Sequence, residues 1–208
     1  MNYSELTQAI KDYVQNTETT FVSQIPTFVR QAEERITRAV VLPEFRKNAT
    51  ASATASNPYL ARPSDFLSPF SLAVIDGDGD YYYLHMKDVN FLREAYPNPT
   101  TSGLPRYYAQ FDGDKAGGEG NFILAPTPDS NYTVELHYYY DPPSIVDSGT
   151  SWLGENAETA LLYGSLVEAY TFMKGDAELQ TQYEQLFQMG LQALTALSAR
   201  TNNDSYRI

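Results

Sequence analysis

The hydrophobic positions of this chain repeat every three or four residues at both ends and every second residue through much of the middle. That order predicts helices, then strands, then helices. Over residues 4–15, Leu6, Ala9, Ile10, Tyr13 and Val14 share one helical stripe, and Asn2 or Ser4 suits the cap. A second helix starts near Pro26, whose missing amide is harmless in a first turn. Phe28, Ala32, Ile36, Ala39 and Val40 form its predicted buried side. Arg30, Glu33, Glu34 and Arg38 lie off that stripe, with Glu34 and Arg38 spaced to pair. Leu42-Pro43 stops the helix.

From Asn48 the period drops to two in ATASATAS, a strand pattern closed by Asn57-Pro58. Tyr59-Leu60 begins the return, and further strands are predicted at residues 70–75, 81–86, 106–111, 121–124 and 132–140. Residues 87–96 form one short helix with Val89, Leu92 and Tyr96 on a face, and residues 112–120 a glycine-rich hairpin tip.

Residues 151–199 read as two amphipathic helices broken at Gly175-Asp176. Leu161, Leu162, Ser165, Leu166, Ala169, Tyr170 and Met173 line the first; Leu179, Tyr183, Leu186, Gly190, Leu194 and Leu197 line the second. Gly175 suits a left-handed C-cap and Asp176 the next N-cap. Trp152, at the entrance, is expected to be buried. The fold expected is α+β, a helical bundle built from both chain ends around an inserted, mainly antiparallel β domain. The predicted boundaries are residues 1–47 and 148–199 for the bundle, 48–147 for the β domain and 200–208 for a C-terminal tail.

Charge changes the picture most. Fourteen basic against 26 acidic residues leave −12, with only Arg46-Lys47 adjacent. Gripping nucleic acid needs a basic patch, so that class is disfavoured. There is no cysteine, which removes disulfides and thiolate metal sites. The start lacks a secretory pattern, and no apolar run reaches the roughly 20 residues of a membrane span, so the chain reads as cytoplasmic with no membrane partner. Seventeen tyrosines are the other anomaly. In the triplets at residues 81–83 and 138–140, alternation should place rings on both faces of a sheet. A sandwich rim and a subunit interface both fit; Tyr82 and Tyr139 are the interface candidates.

Chemistry is sparse. Asp76-Gly77-Asp78-Gly79-Asp80 lacks the glycine and glutamate that a calcium loop starting there needs, and reads as a turn. Gly118-Glu119-Gly120 is neither a phosphate loop nor a dinucleotide fingerprint. His85 and His137 are too few for a typical zinc triad, and no nucleophile elbow occurs. No catalytic, cofactor or metal residue is therefore assigned. Paired carboxylates for sugar hydrolysis stay open, since acids are plentiful.

Five segments carry a resemblance: IPTFVRQAEERITRAVVLPEFRK (25–47), NPYLARPSDFLSPFSLAVID (57–76), KDVNFLREAYPNPTTSGLPRYYAQF (87–111), FILAPTPDSNYTVELHYYYDP (122–142) and SWLGENAETALLYGSLVEAYTFMKGD (151–176). Together, and in this order, they resemble the head-to-tail adaptor (connector, tail tubular A-like) family of short-tailed bacteriophages. Arg62 departs from the aliphatic residue expected before Pro63, which leaves the strand packing there open. The resemblance implies a non-enzymatic virion protein of the head–tail junction, made in the host cytoplasm. It would form a ring of about twelve identical copies. Portal and tail nozzle (tail tubular B-like) proteins would be its partners, and the ring would extend the DNA channel for genome retention and ejection without sequence-specific binding. Such a ring would gather roughly 140 negative charges around the conduit, which discourages DNA from sticking. Gly164 and Gly190 would permit close helix approach. In the tail, Arg200, Tyr206, Arg207 and Ile208 are the expected portal contacts. The alternative is a carbohydrate-binding or cell-wall-hydrolysing β module built on the tyrosines.

Overall fold

The computed structural model describes residues 1–111 and 120–204, with side chains to Ala199. The chain is α+β and divides into two compact units. One holds Met1–Glu44 and the chain from Pro142 on; the other is Phe45–Asp141.

In the helical unit, α1 (Tyr3–Val14) opens on a capping box in which Asn2 and Glu5 satisfy each other's backbone amides. A short turn of helix, α2 (Thr19–Val22), precedes α3 (Ile25–Ala39). Pro26 stands in the first turn of α3, as its fixed φ favours. Ile25, Phe28, Val29, Ala32 and Ile36 are buried along α3, but Ala39 is exposed and Glu33 is buried, both against expectation. Glu33 is buried because of α5 (Ile145–Ser148), a turn of helix that the apolar pattern does not announce. Its Ile145 amide and the Ser144 hydroxyl donate to Glu33 at 2.9 and 2.5 Å.

The predicted first C-terminal helix is two: α6 (Trp152–Asn156) and α7 (Glu158–Met173), separated at Ala157. Trp152, at the start of α6, is half-buried rather than buried. α7 is not amphipathic. It packs on α1, α3, α6 and α8, and Leu161, Gly164, Leu166, Ala169 and Tyr170 around its circumference are all buried. Each Leu or Ile so enclosed contributes about 1.5–3 kcal/mol over leaving it in water. The left-handed C-cap is Lys174 (φ 53°), not Gly175. Gly175 is needed for space instead: a Cβ there would come 2.7 Å from the Tyr170 ring.

Asp176 caps α8 (Ala177–Asp204), accepting from Glu178 and Leu179 amides at 2.8 and 3.1 Å. The helix continues past the expected end at Ala199. Its buried side is also displaced. Tyr183, Phe187, Leu191, Leu194 and Ser198 face the core, while Leu179 and Leu197 are 40% and 41% exposed. The predicted stripe lay between the true core face and a second apolar face made by exposed Leu179, Met189, Ala193 and Leu197 with half-buried Leu186. At about 100° per residue the two faces are centred roughly a third of a turn apart.

The β unit is a sandwich of two four-stranded sheets. The first has the order β1 (Arg46–Ala53), β8 (Tyr132–Tyr140), β3 (Phe66–Ile75), β4 (Tyr81–Tyr83), antiparallel throughout. The second runs β2 (Tyr59–Ala61), β7 (Asn121–Ala125), β6 (Tyr107–Gln110), β5 (His85–Met86), with β5 and β6 parallel. The predicted strand 81–86 is thus split between sheets. Leu84 is the crossing point: its side chain is buried and its amide donates to the Leu72 carbonyl at 2.8 Å. Between the sheets Phe122 meets Phe66 and Tyr108 edge-on, each at 5.4 Å, and Val134, Leu136 and Tyr138 alternate inward from β8. The far face of the second sheet is covered by α4 (Val89–Ala95), capped by Asp88 and held through Leu92 on Ala109, Ile123 and Ala125. Arg62 lines a small pocket with Ala49, Leu60, Val134 and Leu136. Its amide donates to the Gly120 carbonyl at 2.9 Å, and its guanidinium lies 5.2 Å over Phe66.

Candidate interaction surfaces

The acidic turn before β4 is built by Asp76, whose Oδ1 accepts the amides of Asp78 and Asp80, both at 3.0 Å. Those bonds, the Asp80 one foremost, hold its carboxyl below the ordinary value. Gly79 supplies the positive φ of 88° that the turn requires. A carboxylate committed to backbone amides serves as turn chemistry, and the described residues group no three metal-ligating side chains that could hold an ion.

β4 leaves this turn as the edge of its sheet. Tyr81, Tyr82 and Tyr83 are all exposed, at 50%, 41% and 61%. By register Tyr81 and Tyr83 stand opposite Ile75 and Ala73 on the outer face, and Tyr82 opposite Val74 on the inner one. The Tyr82 hydroxyl bonds Asp76, which raises the phenol above its ordinary value. The rings do occupy both faces, and among the described residues all three stay exposed.

The second triplet behaves differently. Tyr138 points inward, and its hydroxyl donates to Asp65 at 2.8 Å; Lys47 reaches the other oxygen of Asp65 at 2.6 Å. Burial and that bond push the Tyr138 phenol up to about 12. Tyr139 points outward and is half-buried, its hydroxyl receiving two bonds from the Arg46 guanidinium at 3.1 and 3.0 Å. Phe70 meets it edge-on at 6.3 Å and lies under the same guanidinium at 4.9 Å. Tyr139 and exposed Phe70 therefore share one outer face with Tyr81 and Tyr83. Tyr82 and Tyr139, paired as interface candidates, belong to opposite faces of the sheet.

His137 shares this outer face. Its Nδ1 lies 3.2 Å from Ser71 Oγ, and its Nε2 lies 3.9 Å from Glu135, which accepts from Asn48 at 2.6 Å. Ser71–His137 and Asn48–Glu135 are cross-strand pairs, and Glu135 and His137 are i,i+2 neighbours along β8 on the same pleat face. His85 lies in β5, exposed, beside the Tyr107 ring. Trp152 belongs to the helical unit, whereas the strand tyrosines that a sugar platform would use belong to the β unit.

In the helical unit, Arg35 was not singled out from sequence, yet it ties three helices. From α3 it donates to Glu168 on α7 at 3.2 Å and to both oxygens of Glu184 on α8 at 2.7 and 2.9 Å. Its guanidinium carbon stands 4.4 Å above the Phe187 ring. Tyr13, Tyr163, Tyr170 and Tyr183 form a cluster with centroids 5.1–6.4 Å apart, joining α1, α7 and α8. The expected portal contacts Tyr206, Arg207 and Ile208, and the Arg200 side chain, lie outside the described residues, as does most of the 112–120 tip.

What both units present is contact surface: packed helices in one, a tyrosine-edged sandwich in the other. The chain belongs to the SU10 adaptor protein family, whose pattern it matches over residues 1–207. It is a structural component of a phage virion. No curated protein matches it.

Proposed function

We propose that this chain is the subunit of a head-to-tail adaptor ring that joins the portal to the tail nozzle and extends the DNA channel. The observation that carries this reading is a family match spanning nearly the whole chain, so both units belong to the adaptor. A net charge of −12 without a basic patch suits a wall past which DNA slides, since like charge discourages adhesion. Identical copies would close through heterologous contacts, with about twelve copies expected from the resemblance. Tyr82 and Tyr139 are offered as lateral contacts of the β unit, and Arg200, Tyr206, Arg207 and Ile208 as portal anchors. The subunit would be made in the host cytoplasm.

The test is mass measurement of the purified protein mixed with the portal protein of its own phage. A discrete multi-copy ring on the portal is the expected result. A chain that stays monomeric with excess portal and instead clears cell-wall polysaccharide would replace this reading with the hydrolase one. A channel lined mainly by Lys and Arg would overturn the sliding argument alone.

A further inference from the structure

α8 carries more apolar surface than its own core uses. Tyr183, Phe187, Leu191 and Leu194 fill the inward face, yet Leu179, Met189 and Leu197 remain 40%, 64% and 41% exposed. With Leu186 and Ala193 they fall on a single face, residues 179–197, about 27 Å long at ~1.5 Å per residue. Beside its C-terminal half lies a groove of about 480 Å³, lined by Ala157, Ala160, Gly190, Ala193 and Leu197, with Glu158 its one charged lining residue.

Charge identifies the occupant. Residues 185–199 are the longest stretch of the chain without a charged residue, in a protein of net charge −12. The nearest acid on the helix, Glu184, is already held by Arg35. A partner of different composition could meet an acidic surface with basic groups and would need no neutral face. A second copy brings the same excess of negative charge, so a face with little charge is where it approaches with least repulsion. We infer that the exposed apolar face of α8, with the adjoining groove, is the lateral seat for a second copy of this chain. The inference rests on the ring reading and places one of its contacts.

Because the chain has no cysteine, Ala193→Cys labelled with a benzophenone maleimide reports only that face. The labelled subunit is mixed with isotope-labelled subunit, assembled on its portal and irradiated. Cross-links between light and heavy copies are expected. In assembled particles, cross-links to portal alone, or none, would overturn the inference and leave the adaptor reading standing. No assembly of the unlabelled wild-type chain would remove both. In parallel, Ala193→Glu and Met189→Glu should raise the concentration needed for assembly at least about tenfold. Thr195→Glu adds the same charge on another side of α8 and should leave it unchanged. Unfolding midpoints should shift by less than about 3 °C in all three, because these positions are exposed. Equal effects of all three substitutions on assembly would sink the proposal.

Discussion

A Cβ placed on Gly164 would lie 2.9 Å from a ring carbon of Phe187, and 3.0 Å from the Cβ of Ala32. The glycine in α7 is thus the floor on which α8 rests. Gly164→Ala gains about 1 kcal/mol of helix propensity and incurs about 1–3 kcal/mol of overpacking. Net destabilisation of about 1 kcal/mol is expected in urea unfolding, with the slope unchanged. A gain in stability would mean that Phe187 has room to retreat.

Arg35 holds α7 and α8 through a fork that lysine does not reproduce. Arg35→Ala should cost about 1–3 kcal/mol, and Arg35→Lys should recover only part of it. Burial alone would push the Glu184 carboxyl up, but bonds from Arg35 and Gln188 outweigh it and hold it below the usual 4.5. With a depressed folded value, its stabilisation is present above pH 4.5 and lost as pH falls through the folded value. Glu184→Gln should therefore flatten the acid limb of the stability profile. An unchanged limb would exclude this pair as a contributor.

Glu33 has the opposite sign. Burial raises its carboxyl above 4.5, although the Ile145 amide and Ser144 hydroxyl pull it down. A raised folded value favours the fold below pH 4.5, and that contribution is lost as pH rises through the folded value. Relative to Glu33→Gln, which keeps an acceptor for the Ile145 amide, the wild type should gain stability on acidification from neutrality. Glu33→Ala should lose roughly 1–3 kcal/mol at any pH by orphaning a buried amide. Parallel profiles for wild type and Glu33→Gln would show that Glu33 does not titrate in this way.

At the β edge, Tyr82→Ala should leave the unfolding midpoint within about 3 °C, because the residue is exposed on an edge strand. If Tyr82 makes a lateral contact, assembly on the portal should weaken by about tenfold or more. Wild-type assembly by this variant would remove Tyr82 from the interface. Tyr139→Ala tests the outer face separately, and it should also lower stability by releasing Arg46 and Phe70.

The portal anchors are tested by stopping the chain after Asp204, where the helix ends, rather than after Ala199. Loss of portal binding with an unchanged midpoint is expected. Full binding would dismiss Tyr206, Arg207 and Ile208 as anchors.

Much of this fold was legible because periodicity reports burial directly. β8 has its predicted bounds, α4 lies within its predicted range, and Asn2 and Asp176 cap as expected. The misreadings have separate causes. Glu33, a polar residue on a buried face, is decided by a partner 111 positions away, which no local pattern encodes. Phe187 and Leu191 were passed over because α8 is apolar around an arc wider than one interface, so a single best stripe fell between its two faces. That excess was itself the signal, had the arc been measured. Arg35 carried no cue, since its role depends on three helices meeting.

The crossing at Leu84 has a mechanical meaning. Because six consecutive residues belong first to one sheet and then to the other, load applied to either sheet passes to its neighbour along the main chain. The main chain also changes sheet between β1 and β2, β2 and β3, and β7 and β8, but the Leu84 link is the shortest of these. It adds a taut main-chain tie at the exposed tyrosine edge to what side-chain packing supplies.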